Sequence, residues 1–402
     1  MPSVCFYFQV HQPHRLRPYG VFDVGRRHDY FDAALDEAVL RKVAEKCYRP
    51  MNALLLELIE RTDGRFKAAF SITGCALDQM ARFTPDVVES FQRLVETGSV
   101  EILGETDQHS LSFLASEAEF EEQVARHSRR MQSLFGRLPR VFRNTELIYS
   151  NALARKVEQM GFTGVLAEGA DRLLGWRSPC FVYAANGTHE LPVLLKSYRL
   201  SDDIAFRFGN RAWEGWPLTA EKFAGWLQQV NGCGETINLF MDYETFGEHQ
   251  WRETGIFEFM RALPEAVLAH AEMDFATPSE VLERHPIRGV IDAPEFVSWA
   301  DSERDLTAWL GNPMQRAALD ALFALREPVI ASGDPALRDD FRKLTTSDHF
   351  YYMCTKYFAD GDVHKYFSPW ESPYEAHIAF MNVVTDLARR ARADVAIARL
   401  AA

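Results

Sequence analysis

The stretch Arg140-Val141-Phe142-Arg143-Asn144-Thr145-Glu146-Leu147-Ile148-Tyr149-Ser150 decides the fold class. Just before it, Gly136 suits the left-handed end of a helix and Pro139 bars any continuation. Residues 140–143 then read as a short extended run whose carboxyl end is Asn144-Thr145-Glu146. Ser150 can cap the next helix, which closes at Gly161 ahead of a second apolar run, Gly164-Val165-Leu166-Ala167. Strand, loop, helix and strand in this order form a crossover, and crossovers join parallel neighbours. In parallel sheets the carboxyl ends of the strands share one face, where ligands bind. Glu146 is therefore predicted to face a site.

The same grammar runs through the first two-thirds of the chain. Residues 4–10 are apolar and β-prone and end at His11-Gln12-Pro13. Residues 51–61 have helical spacing, and 66–73 read as a strand ending at Gly74. Thr84-Pro85-Asp86 combines an N-cap, a first-turn proline and an acid, opening a helix that stops near Gly98. A strand over 100–103 contains Glu101, with His109 in the loop beyond. A helix over 219–230 leads to a strand over 236–241, with Asp242 at its end, and Phe275-Ala276-Thr277-Pro278-Ser279-Glu280 hands a further strand to a capped helix. Repeated βα units with chemistry at strand ends predict a barrel. No Gly-rich phosphate fingerprint accompanies them, so a dinucleotide-binding sheet is disfavoured.

After about residue 290 the pattern turns helical, over 302–326 and 374–400. The expected division is a barrel over 1–290 and, over 291–402, a helical domain packed on it and contributing to the cleft. The aromatic segment from Ser347-Asp348-His349-Phe350-Tyr351-Tyr352-Met353 to Ser368-Pro369-Trp370 reads equally as an interdomain seam or a substrate-facing wall.

Composition narrows the function. A formal charge of −13 over 402 residues argues against nucleic acid, which calls for a basic stripe. Aromatic residues at 12% supply a core and leave Trp and Tyr for stacking on sugar rings. No run of about 18 apolar residues predicts a membrane span. The amino terminus lacks a basic segment followed by a cleavage site. The six cysteines, at 5, 47, 75, 180, 233 and 354, form no C-x-x-C pair. A reduced, cytoplasmic setting is expected, without disulfide framework or zinc ribbon. No calcium-loop motif is present either, and neither a cofactor nor a metal is expected.

Two acids at strand ends, Glu146 and Asp242, with His11 at a third, make an electrostatically costly mouth that asks for a purpose. A carboxylate pair is the minimal equipment for cleaving a glycosidic bond. With those residues in view, the chain resembles glycoside hydrolase family 57 nearly end to end. Its five signatures correspond here to His11-Gln12-Pro13; Gly98-Ser99-Val100-Glu101-Ile102-Leu103; Phe142 to Tyr149 around Glu146; Asp242-Tyr243-Glu244-Thr245-Phe246-Gly247; and Trp299 to Asn312. The wording of the last three is most similar to the family's α-amylase subgroup.

The resemblance implies an incomplete (β/α)7 barrel followed by helices, acting on α-glucans of the starch or glycogen type. It implies Glu146 as the nucleophile of a retaining mechanism and Asp242 as the general acid/base, with carboxyl carbons about 5–5.5 Å apart. The charge of Glu146 and the aromatic neighbours Tyr243 and Phe246 are expected to favour the protonated Asp242. His11, Gln12, His109 and His249 are candidates for binding sugar hydroxyls. Glu101 is expected as a buried partner for an Arg or His at the mouth. Trp299 and Trp309 are candidate stacking platforms, with a core role for Trp309 equally open, and Trp251 is a weaker one. Asp301 either binds a hydroxyl or caps a helix. A 4-α-glucanotransferase or branching enzyme would use the same carboxylates, although the chain is short for the family's larger transferases. A metal-dependent deacetylase or mannosidase lacks paired His and Asp ligands here. A non-catalytic glucan-binding protein would not need both acids.

Overall fold

The computed structural model describes residues 2–356 and 368–401. Ten strands are present among them: β1 (Ser3–Val10), β2 (Ala68–Ile72), β3 (Val100–Ile102), β4 (Val141–Arg143), β5 (Gly164–Ala167), β6 (Val182–Ala185), β7 (Pro192–Leu195), β8 (Thr236–Asp242), β9 (Asp274–Phe275) and β10 (Ile287–Ile291). One sheet runs β3-β2-β1-β8 with β9 beside β1, and the other runs β10-β6-β7-β5-β4.

Eight of these strands are mutually parallel: β1 to β5, β7 and β8 make the barrel wall, and the two-residue β9 lies against the start of β1. Two seams are thinly bonded. Between β3 and β4 there is a parallel bridge at Gly104 and Phe142. Past β7, Ser197 N–H donates to the Asn238 carbonyl of β8 at 2.8 Å. With seven wall strands in place of eight, the barrel is incomplete. β6 lies antiparallel to β7 and carries β10 outside the ring.

Alternation along β1 sorts the two faces. Cys5 and Tyr7 point inward with Ala69, Leu103, Val141, Leu166, Leu194 and Phe240. Val4, Phe6, Phe8 and Val10 point outward under the helices. Every residue of β1 is buried, as expected for a strand covered on both sides.

The predicted elements are found at closely similar bounds. The helix expected after Thr84 is Pro85–Glu96, with Thr84 at its N-terminal boundary but without the expected side-chain cap, and the crossover after Glu146 is the helix Asn151–Gln159 followed by β5. The β6–β7 hairpin had no sequence-based expectation.

Helices Pro313–Phe323, Arg326–Ser332, Pro335–Leu344 and Pro373–Ala401 build a second apolar core. Leu16, Tyr19 and Tyr30 from the loop after β1, and Leu111 and Ile148 from the barrel mouth, insert into it. Phe350, Tyr352 and Met353 of the aromatic segment belong to this core, and the part of that segment over 357–367 lies outside the described residues. The expected boundary at 290 falls inside β10. Trp309 is fully buried here, its ring edge-on to Tyr351 at 6.3 Å, so it packs the helical core and offers no sugar platform. Among the described residues no helix is long and apolar enough to cross a membrane.

Candidate active site

The carboxyl ends of the parallel strands open into a cleft of two adjoining compartments. The smaller, a cavity of about 80 Å³, is lined by Gln9, His11, His109, Glu146, Glu244 and Asp348 among others. The larger, about 220 Å³, is lined by Lys196, Asp202, Phe206, Thr245, Asp301 and Arg304 among others. Asp242, His249 and Trp299 line both.

Glu146 sits just past β4 with φ +58°, and Leu147 follows at +50°. Two successive non-glycine residues in the left-handed region store strain, which persists where surrounding bonds hold it. Here Asn144 Nδ2 donates to the Ile148 carbonyl at 3.0 Å and Trp299 N–H donates to the Glu146 carbonyl at 3.2 Å. The carboxylate is then gripped from three elements. Trp299 Nε1 donates to Oε2 at 2.7 Å, while Ser347 Oγ and His109 Nε2 lie 3.2 and 3.3 Å from Oε1.

His109, itself at φ +51°, stands between Glu146 and Glu105, whose Oε2 is 3.1 Å from its Nδ1. Burial alone would lower its pKa, but hydrogen bonds to the two carboxylates raise it to about 9. The ring is thus an imidazolium at neutral pH. Burial works against the Glu105 carboxylate too, yet the His109 hydrogen bond and the charges of His109 and Arg143 bring it down to about 2. Arg143, buried at the end of β4, lies 3.9 Å from Glu105 and over the faces of Trp299 (4.9 Å) and Tyr7 (5.9 Å). Charges of alternating sign therefore back the Glu146 carboxylate and favour its ionised form.

His11, at the end of β1, stacks on His109 with ring centres 4.1 Å apart. Its Nε2 meets Asp348 Oδ2 at 2.9 Å and its Nδ1 meets Thr73 Oγ1 at 3.0 Å. Burial first, then the neighbouring His109 charge, lowers its pKa. Asp348 and Ser347 come from the short helix Ser347–Tyr351 of the helical part, so that part contributes directly to the cleft.

Across the cleft, Asp242 ends β8. Glu244, two residues on, is fully buried and accepts from the Tyr48 hydroxyl. Burial, reinforced by the charge of Asp242, pushes its pKa up to about 8. The rings of Tyr243 and Phe246 point the other way, into the core between barrel and helices, with the Tyr243 hydroxyl donating to Asn52 Oδ1 at 2.6 Å. The aromatic surroundings expected of Asp242 are therefore not in the cleft, because the chain turns into a 3-10 helix over Tyr243–Thr245, where residues three apart such as Tyr243 and Phe246 share one face. Gly247 closes the motif for a steric reason: at φ +109° a Cβ would stand 1.9 Å from the Lys46 carbonyl oxygen.

Of the residues singled out from sequence, Glu146, Asp242, His11, Gln12, His109, His249 and Trp299 line the smaller compartment and Asp301 the larger. Gln12 is nearly buried and accepts from Arg15 Nη2 at 2.9 Å. The Asp301 carboxyl is raised by burial and by its hydrogen bond with the Glu303 side chain, with Lys356 opposing at 3.6 Å. Glu101 is not at the mouth. Its carboxylate accepts from Ser279 N–H (2.9 Å) and Oγ (2.6 Å), capping the helix Pro278–Arg284, because its strand position turns it inward below the site. Glu105, Glu244, Ser347, Asp348, Lys196, Phe206 and Arg304 were not anticipated as site residues. Glu244 lay within the quoted Asp242 motif and Ser347-Asp348 opened the aromatic segment, so a signal was present for those three.

Comparison with known proteins fits this geometry. The family model described as glycosyl hydrolase family 57 matches residues 5–294. A Methanocaldococcus jannaschii protein named "Putative alpha-amylase" is 42% identical over 399 residues, covering 95% of this chain and 83% of its own length. The 4-alpha-glucanotransferase of Thermococcus litoralis shares the fold at a TM-score of 0.68 and 16% identity, over 87% of this chain, which spans 56% of that one. The branching enzyme of Pyrococcus horikoshii does so at a TM-score of 0.67 and 16% identity, over 91% of this chain and 87% of its own. With its motifs, its barrel and these relatives in agreement, the chain belongs to glycosyl hydrolase family 57.

Proposed function

We propose that this protein cleaves α-1,4-glucosidic bonds of starch- or glycogen-type glucans with retention of configuration, through a glycosyl-enzyme intermediate. The observation that carries the reading is the Glu146 carboxylate, backed by the His109 imidazolium and facing the same compartment as Asp242 on another strand. In the first step an oxygen of Glu146 bonds to the anomeric carbon as the glycosidic bond breaks, and Asp242 gives its proton to the departing oxygen. In the second, Asp242 takes a proton from water, whose oxygen displaces Glu146 and restores the original configuration. Trp299 Nε1 and Ser347 Oγ hold the nucleophile's orientation. His11 and His249 offer hydrogen bonds to sugar hydroxyls.

A second reading is transfer to a sugar acceptor by the same two carboxylates. Chain length does not disfavour it, since this chain covers 87% of the branching enzyme it resembles. The roomy compartment beside Asp242 also supports it.

Maltoheptaose incubated with the protein distinguishes the readings. Shorter products with rising reducing ends mean hydrolysis, and longer chains at constant reducing ends mean transfer. Glu146→Gln is expected to lower either activity at least about 10³-fold while binding survives. Full activity in that variant would sink the assignment. Proton NMR of the first product should show the α-anomer; a β-anomer would exclude retention.

A further inference from the structure

We infer that the larger compartment binds the sugar on the leaving side of the scissile bond, with Phe206 as its stacking platform. This rests on the roles proposed for Glu146 and Asp242. The nucleophile lines the smaller compartment alone, whereas Asp242 lines both. The glycosyl unit that bonds to Glu146 must occupy the smaller one, and the oxygen that Asp242 protonates must point toward the larger one. The bond therefore crosses from one compartment to the other at Asp242, where Trp299 also lines both.

Phe206 is the exposed apolar group of this wall: it lines the cavity yet remains 57% exposed. A ring held facing water at a cavity mouth is matched by the apolar face of a pyranose. Its backbone is fixed, as a platform requires. Arg207 Nε donates to Asp203 Oδ1 at 2.7 Å, Arg207 Nη2 donates to the Arg199 carbonyl at 2.8 Å, and Gln250 Nε2 donates to the Ala205 carbonyl at 2.9 Å.

The polar side of the compartment selects the ligand's charge. Lys196 Nζ lies 3.4 Å from Asp202 and 3.7 Å from the fully buried Glu168. Arg304 lies 3.5 Å from Asp202 and 3.2 Å from Glu168. Both cations are thus paired with carboxylates, and Asp242 and Asp301 add further acids to the lining, so neither Lys196 nor Arg304 is left over for an anionic ligand. The wall suits a neutral, polyhydroxylated glucosyl unit over a phosphorylated or acidic sugar.

The test compares two substrates on one preparation. Maltohexaose places a sugar in this compartment on cleavage, whereas α-maltosyl fluoride loses a single atom and leaves it empty. Phe206→Ala is expected to lower the ratio of kcat/KM for maltohexaose to that for the fluoride by about tenfold, the equivalent of about 1.4 kcal/mol. Phe206→Trp is expected to restore most of it. Because both substrates are measured on one sample, any misfolded fraction cancels in the ratio. An unchanged ratio, whether neither substrate or both lose equally, overturns the inference while the carboxylate assignment stands. No turnover of either substrate by the unmodified protein removes both.

Discussion

At the scale of single residues, the site is a chain of charges: Arg143, Glu105, His109, Glu146. His109 carries a pKa of about 9 against an ordinary 6.5, so its stabilising contribution is complete below about pH 6.5 and is lost as the pH rises through about 9. Glu105, depressed to about 2 from 4.5, contributes in full above about 4.5 and loses it as the pH falls through about 2. Glu244, raised to about 8 from 4.5, is most favourable to folding below about 4.5 and costs stability as the pH rises toward and through 8. His109 and Glu244 thus act in the same direction on the alkaline side. Urea unfolding at pH 7 and pH 9 should show lower stability at pH 9, and His109→Gln should shrink the difference. The same variant deprives Glu146 of its cation. The acid limb of its kcat/KM profile should move upward by about one pH unit, read from a pH series on maltoheptaose. An unmoved limb would mean that His109 does not set the ionisation of Glu146.

At the scale of elements, strand ends are positioned by tight contacts between neighbouring loops. Gly74 opens the helix Gly74–Phe83 beside the Glu105–His109 loop, and a Cβ there would lie 2.2 Å from Asp107 Oδ1 and 2.7 Å from its carbonyl oxygen. Gly74→Ala should therefore lower stability by about 2 kcal/mol, measured by urea titration, and reduce activity by displacing His109. A neutral outcome would show that the loop yields without consequence. The elements themselves were largely legible: Pro85 and Asp86 announce their helix by first-turn chemistry, and Ser150 announces the next by capping it. The β6–β7 hairpin was not, because each strand is four residues long and its pairing is decided by partners far along the chain.

At the scale of the whole molecule, the helical part is locked onto the barrel and completes its site. Thr346 Oγ1 donates to the Gln108 carbonyl at 2.9 Å, and Ser347 N–H donates to that of His109 at 2.9 Å. A few residues back, Arg342 Nε donates to the fully buried Glu119 of the barrel helix Glu117–Phe135 at 3.1 Å, and Arg326 approaches the same carboxylate. Arg342→Met removes one of the cations that compensate a buried charge, so a loss of about 3 kcal/mol is expected in thermal or urea unfolding. Activity should fall further than stability alone explains, because Ser347 and Asp348 lose their register against Glu146 and His11. Unchanged kinetics at a temperature where the variant is folded would refute that coupling.

The sequence by itself determined the βα grammar, the helical tail and the candidate acids, since periodicity, caps and strand-end placement are local properties. Within the Asp242 motif it could not separate the cleft-facing Glu244 from Tyr243 and Phe246, whose rings turn outward. It could not tell Trp299, which holds the Glu146 carboxylate, from Trp309, which fills a core. Nor did it join Glu105, Asp348 or Phe206 to the site. Those assignments depend on which face of a strand end a side chain takes and on contacts spanning up to several hundred residues. The tertiary structure alone brings such groups together and sets their charges.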